Sequence, residues 1–417
     1  MTTTTPEQAK APLPPRPTAT SKKRLRVDLR QYGILAALVV IILLFQVLTG
    51  GRLLYPGNVS NLIQQNAYVL ILAIGMVMVI IAGHIDLSVG SVVAVVGAVA
   101  ALSMNNWGLP WWGAVVLSLA VGAVIGAWQG FWVAFVGIPA FIVTLAGMLI
   151  FRGVALVLLT GGTVSGLPRP FNAIGSGTLP STGTPDLITL GIGAIASVAV
   201  IVQQLKARAD LQRLGLPRER AVSFWFKIGI AVVAIMYLCY LLAYNRGTPI
   251  ILIVLAVLVL AYSFLLTRTV FGRHIYAMGG NLNAAMMSGV KTQWVNFFIF
   301  VNMGFLAGLA GVVSTARAGG AVASAGGGFE LDAIAAVFIG GASVQGGVGT
   351  VIGAVIGGLV MGVLNQGLSI LSVDAAWQQI IKGLVLLAAV AFGSAGGAAR
   401  GRPERRSAAP CLGNPVA

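Results

Sequence analysis

Within the ten residues AGHIDLSVGS, 82 to 91, His84, Asp86 and Ser88 place an imidazole, a carboxylate and a hydroxyl in a stretch that is otherwise almost wholly apolar. Such groups can contact a proton or a polar substrate. They can equally serve the backbone, because a carboxylate just before a new helix accepts from that helix's first free amides and sits well against the positive end of its dipole. Asp86, followed by Leu87, Ser88 and Val89, carries both readings. His84, at the end of the preceding apolar segment, is placed to donate to that segment's last carbonyls. A metal role has no support, since no Cys, second His or carboxylate cluster is near, and His274 lies far along the chain.

The same question attaches to Arg152, Glu330, Asp332 and Lys382. A charge at a bilayer centre costs about 2.5 to 3.5 kcal/mol on insertion scales, so each needs a partner, a watery cavity or a place near the interface. Glu330 and Asp332 open a short apolar segment, 331 to 345, and are placed to cap it as Asp86 caps its own helix; the Gly-rich run before them lets the chain turn.

The elements that must position these groups follow from composition. With 58% hydrophobic and 9% charged residues in 417, the chain has far more apolar surface than a water-soluble core can hide. It is expected to be an all-α polytopic membrane protein. Apolar segments of about twenty residues fall at 32 to 50, 66 to 83, 88 to 104, 111 to 129, 139 to 160, 186 to 204, 226 to 244, 249 to 267, 294 to 314, 350 to 371 and 376 to 394. With the short piece at 331 to 345, a tilted or re-entrant half-helix, they make about twelve crossings, or ten at the fewest.

The net charge of +16 is a topology signal. Of 26 basic residues, 20 lie before the first apolar run, in the loops 205 to 225 (with Lys227 at its edge) and 268 to 293, or in the tail, which marks those segments and both termini as cytoplasmic. Scattered over four segments without interleaved aromatics, they do not read as a nucleic-acid surface. The expected organisation is a disordered basic tail (1 to 30), a transmembrane domain (31 to 395) and a second basic tail (396 to 417). Cys239, in an apolar run, and Cys411, in the tail, do not form a disulfide.

Residues 79 to 99 and 336 to 358 share one pattern, an apolar segment, a small-residue break, a polar residue and a Gly-spaced apolar helix. The two copies, about 255 residues apart, suggest halves related by an axis along the membrane normal. Small residues such as Gly97, Gly122, Gly126, Gly353, Gly357 and Gly358 favour close helix packing. No phosphate-binding loop, nucleophile elbow or paired catalytic carboxylates occur, so the chain has no ATPase site or catalytic residue of its own. Active transport would draw on a partner or on an ion gradient.

Three motifs in order, IIAGHIDLSVGS, FGRHIYAMGGNLNAAMMSGVKT (271 to 292) and GFELDAIAAVFIGGASVQGGVGTVIGAVIGG (328 to 358), resemble the permease subunit of bacterial ATP-driven importers of ribose, xylose, arabinose and galactose. The extra helix pair at about 186 to 244 resembles the xylose or multiple-sugar branch, and the family usually has Gly where this chain has His84. The resemblance implies an inner-membrane homodimer surrounded by lipid, an ATPase subunit that binds the ATP and Mg, and a periplasmic sugar-binding protein. It also implies that the ATPase acts on the segment carrying Gly272, Arg273, Tyr276, Gly279, Gly280, Asn281, Ala284, Ala285, Ser288 and Gly289. The residues themselves favour a lever there: Gly279 and Gly280 end one helical piece, Asn281 caps the next, and Ser288-Gly289 stops it. Asn66, Trp128, Gln129, Trp132, Asn302, Asn365 and Gln366 are candidates for a sugar path, since sugars suit aromatic faces and amide hydrogen bonds. The rival reading is an ion-coupled carrier in which Asp86 or Glu330 binds the proton.

Overall fold

The computed structural model describes residues 29–160, 162–215 and 221–398. The expected basic tails lie outside these residues apart from their inner edges, which are helical, and so do Arg218 and Arg220. In chain order the helices are α1 (Leu29–Leu48), α2 (Pro56–Gln65), α3 (Ala67–Ile81), α4 (Val89–Asn105), α5 (Trp111–Phe131), α6 (Ala140–Leu159), α7 (Arg169–Ser176) and α8 (Leu187–Arg213). They continue as α9 (Ala221–Ala243), α10 (Ile250–Arg268), α11 (Val270–Gly280), α12 (Leu282–Met287), α13 (Thr292–Ala318), α14 (Phe329–Ile339), α15 (Val351–Ile370) and α16 (Ala375–Ala398).

Every apolar segment read from the sequence is helical, but not all are full spans. Among the described residues, seven helices are long and apolar enough to cross a bilayer, α5, α6, α8, α9, α10, α13 and α15, and an eighth crossing forms if α2 and α3, bent by 43° at Asn66, act as one. α4 has 17 residues and α14 has 11, the latter about 16 Å at 1.5 Å per residue. These spans do not confirm the expected ten to twelve crossings. At 331 to 345 the chain spends residues 340 to 350 on a turn and leaves only a half-helix.

Burial separates an inner group from an outer one. α3 buries 14 of its 15 residues, so it is apolar all round because protein surrounds it, whereas α8 buries only Thr189, Gly193 and Ser197. α13 packs against α5, α4 and α3. Gly122 and Gly126 of α5 meet Gly304 and Gly308 of α13 so closely that a β-carbon on Gly126 would stand 2.3 Å from the Phe300 carbonyl oxygen. The extra pair α8 and α9 pack on each other and reach α2.

Two short strands, β1 (Val164–Ser165) and β2 (Gly320–Ala321), pair antiparallel and bring the α6–α7 and α13–α14 connections to one face. α13 is continuous over 27 residues, about 40 Å, so α12, just before its start, lies at the opposite face from β2, just past its end.

Candidate functional site

α3 and α14 end in the same way. Gly83 (φ 86°) and Gly341 (φ 87°) take the left-handed conformation that only glycine adopts without strain. In each turn the glycine amide donates three residues back (Gly83 to Ile80, Gly341 to Phe338) and the next amide donates five back (His84 to Val79, Ala342 to Val337). His84 thus matches Ala342, and that position accepts a side chain. Contrary to the expectation, its imidazole does not bond the last carbonyls of α3. Nε2 lies 3.1 Å from Asn296 Oδ1 on α13, because the turn points the ring across toward that helix.

Asp86 is buried, and its Oδ1 accepts from the Ser88 amide (2.8 Å) and hydroxyl (2.6 Å). The cap position of α4 belongs to Ser88, so Asp86 braces the turn ahead of the helix and does not take its first free amides. The Ser88 hydroxyl accepts in turn from Gln129 Nε2 at 2.7 Å, and Thr144 Oγ1 donates to the Ile85 carbonyl at 3.3 Å. These bonds fasten the break between α3 and α4 to α5 and α6.

The other charges are settled differently from the sequence expectation. The cap of α14 is Gly328, with φ 80° and no side-chain cap bond, so neither Glu330 nor Asp332 caps the helix. Both sit in its first turn, where acids suit the dipole. Asp332 Oδ2 accepts from Lys382 Nζ of α16 and from the Tyr68 hydroxyl, each at 3.2 Å. Arg152 Nη1 donates to the Ala323 and Ala325 carbonyls (2.9 and 2.7 Å), holding the connection before α14. Glu330 Oε2 is buried without a hydrogen-bond partner, near Gly90.

A cavity of about 380 Å³ opens where α2 meets α3, between the ends of α13, α14, α15 and α16. Asn66 lines it because the bend at that residue frees its side chain between helices: Nδ2 donates to the Leu62 carbonyl at 3.0 Å, and Oδ1 accepts from Asn365 Nδ2 at 3.3 Å. Arg317 Nη1 donates to Gln64 Oε1 at 2.7 Å, and Tyr68 stacks on Phe329 with centroids 3.5 Å apart. Lys382, Gln378 and Ser369 complete the polar wall.

Of the seven sugar-path candidates, only Asn66 and Asn365 meet here. Gln366, the neighbour of Asn365, is buried with Oε1 unpartnered and does not line the cavity. Trp128 and Trp132 form edge-to-face contacts with each other and with Phe151 and Phe131, Gln129 serves Ser88, and Asn302 accepts from the Tyr262 hydroxyl. Sequence reading passed over Tyr68, Gln64, Arg317 and Gln378; Arg317, a lone base closing a long apolar helix, was the readable signal.

At the opposite face, the Thr269 hydroxyl accepts from the Gly272 amide to start α11. Asn281 Oδ1 accepts from the Ala284 amide at 3.0 Å to start α12, the Ser288 hydroxyl donates to the Ala284 carbonyl, and Gly289 (φ 82°) ends it. Ala285 is buried, so it anchors α12, whereas Leu282, Met286 and Met287 stand exposed, Met287 at 91%. Arg273 and Gly280 are exposed too, and the Tyr276 hydroxyl donates to the Gly349 carbonyl at 2.7 Å. Among the described residues, no group of three His, Cys, Asp or Glu side chains is placed to hold a metal.

Long apolar helices, a broken pair at the centre and a polar cavity among them define a membrane permease. The chain belongs to the family described as "Branched-chain amino acid transport system / permease component", whose model matches residues 58–390. It is 42% identical to the xylose transport system permease protein XylH of Haemophilus influenzae over 364 residues, 87% of this chain and 96% of that one. With XylH of Escherichia coli (strain K12) it shares 41% over 372 residues, 88% of this chain and 93% of that one. With the ribose import permease protein RbsC of the same strain it shares 36% over 333 residues, covering 80% and 84%. No solved structure matches it.

Proposed function

We propose that the chain is the membrane subunit of an ATP-binding-cassette importer for xylose or a related monosaccharide, working as a homodimer in the bacterial inner membrane. The observation that carries this reading is the identity to two xylose permeases over nearly their whole length, against the shorter and less identical match to a ribose permease. The basic loops around α11 and α12 support a cytoplasmic position for that face, with both termini on the same side, and a periplasmic position for the strand-paired face.

An ATPase subunit, binding ATP and Mg, docks on the exposed Leu282, Met286 and Met287 of α12, an adaptable apolar face suited to a partner's groove. A sugar-binding protein delivers to the other face, and the cavity lined by Asn66, Asn365, Tyr68 and Lys382 lies on the sugar's route. Its amides and charges exchange hydrogen bonds with hydroxyls, and its volume suits one pentose. The matching turns at Gly83 and Gly341 support two halves of common design.

Labelled xylose uptake into proteoliposomes holding the chain with its ATPase and binding protein tests the proposal. Uptake that requires ATP and both partners is expected. Uptake by the chain alone, driven by a proton gradient, would establish the ion-coupled carrier instead.

A further inference from the structure

α3 and α14 pack side by side. Their first turns line the cavity, where Tyr68 stacks on Phe329, and their last turns end in the two matching glycine turns. Both are unbroken, and α3 is buried along nearly its whole length, so each transmits a push at one end to the other.

The lower ends are tied to each other and to α11. The Gly347 amide, in the connection that follows α14, donates to the Ile81 carbonyl of α3 at 2.8 Å. Gly279 of α11 lies against that same bond: a β-carbon there would stand 1.7 Å from the Ile81 oxygen and 2.5 Å from the Gly347 nitrogen. The Tyr276 hydroxyl adds the bond to the Gly349 carbonyl. Gly280, the next residue, has nothing within 4 Å of its β-carbon position, and α12 starts two residues on. One face of the α11 end therefore grips both breaks, while the other is free.

We propose that the end of α11 is a clamp that joins α12 to the α3–α14 pair, so that a displacement of α12 moves both glycine turns together and reshapes the cavity at the far ends of these helices. This rests on the reading of α12 as the ATPase contact, and it assigns Gly279 and Tyr276 as positioning residues for transport. Coupling shows as a change in transport relative to hydrolysis, so the two are read separately.

In the reconstituted importer, labelled xylose carried per ATP hydrolysed is measured for wild type, G279A, Y276F and, as a control on the peripheral α8 where a β-carbon meets nothing within 4 Å, G191A. The ratio is expected to fall about tenfold in G279A, an ordinary size for coupling between sites, with hydrolysis retained, and to hold in G191A. Y276F, which removes one hydrogen bond and no volume, lowers the ratio several-fold and serves if G279A does not assemble. In chains carrying C239A and C411A, a thiol label on S369C, at the exposed rim of the cavity, reports its shape. Nucleotide should change labelling in the parent and not in G279A or, more weakly, Y276F. Wild-type ratios in the assembled variants, uptake and hydrolysis falling together, or labelling that still responds would overturn the clamp. Failure of the wild-type complex to take up xylose would sink the importer reading instead.

Discussion

Lys382 and Asp332 meet at 3.2 Å beside the cavity, with Lys382 27% exposed at its side chain and Asp332 6%. At that distance the gross attraction is about 5 kcal/mol with an effective dielectric constant near 20. Desolvation and side-chain ordering remove most of it. Breaking a fully buried pair costs about 3 to 5 kcal/mol, because one charge is left uncompensated. Here Lys382 is partly in solvent and the Tyr68 hydroxyl still donates to Asp332, so K382M should destabilise by about 2 kcal/mol. D332N, which keeps the shape and leaves a half-solvated ammonium, should cost about 1 kcal/mol. If the two groups stabilise each other, D332N/K382M loses less than the two single losses combined, by a coupling energy of about 1 to 2 kcal/mol. Unfolding in mixed detergent and SDS, followed by far-UV circular dichroism, gives all three values. A double variant that loses the full sum would refute the pair as a stabilising contact. A K382M chain as stable as wild type would show that Asp332 needs no cation.

The remaining expectations concern single sites. Asp186 starts α8 by accepting from the Thr182 and Thr189 amides and from the Thr189 hydroxyl, and these bonds hold its carboxyl well below the usual carboxylate range. A depressed folded-state pKa means that its contribution is present at neutral pH and fades only as pH falls below the ordinary carboxylate value, so D186A should cost about 1 kcal/mol at pH 7, with a gap to wild type that narrows toward pH 3. G126V forces a side chain onto the Phe300 carbonyl and parts α5 from α13; expression and monodisperse size exclusion should collapse, while G153V, with nothing within 4 Å, behaves as wild type. H84A and N296A each lose one hydrogen bond, about 1 kcal/mol in melting experiments, and the double variant should lose no more than either. Because Ala342 fills the matching position in the second turn, uptake by the H84A chain should keep its dependence between about pH 5 and 8; a change there would give the imidazole a pH-sensing role.

Hydrophobic runs and glycine punctuation in the sequence set the helices and their approximate ends, because those depend on neighbours a few residues away, but local chemistry set only some of the caps, since Asp86, Glu330 and Asp332 cap no helix. Asn281 capping α12 and the breaks after Ile81 and Ile339 were legible for that reason. The number of complete spans was not, since hydropathy does not say whether an apolar stretch is surrounded by protein or by lipid. α3 and α8 are both strongly apolar, yet α3 is central and α8 peripheral.

The partners of the buried polar groups were decided only by tertiary packing. Asp332 and Glu330 read alike at the head of α14, but a helical register of two residues turns one toward Lys382 and Tyr68 and leaves the other without a hydrogen-bond partner at Oε2. His84 finds Asn296, and Asn66 finds Asn365, across separations of 212 and 299 residues that no local pattern encodes. For AGHIDLSVGS, composition fixed that a break must interrupt the membrane helix there. Three-dimensional contact made it a junction, where a glycine of α11 can lie on a backbone carbonyl of α3 only because neither it nor Gly347 has a side chain to hold them apart.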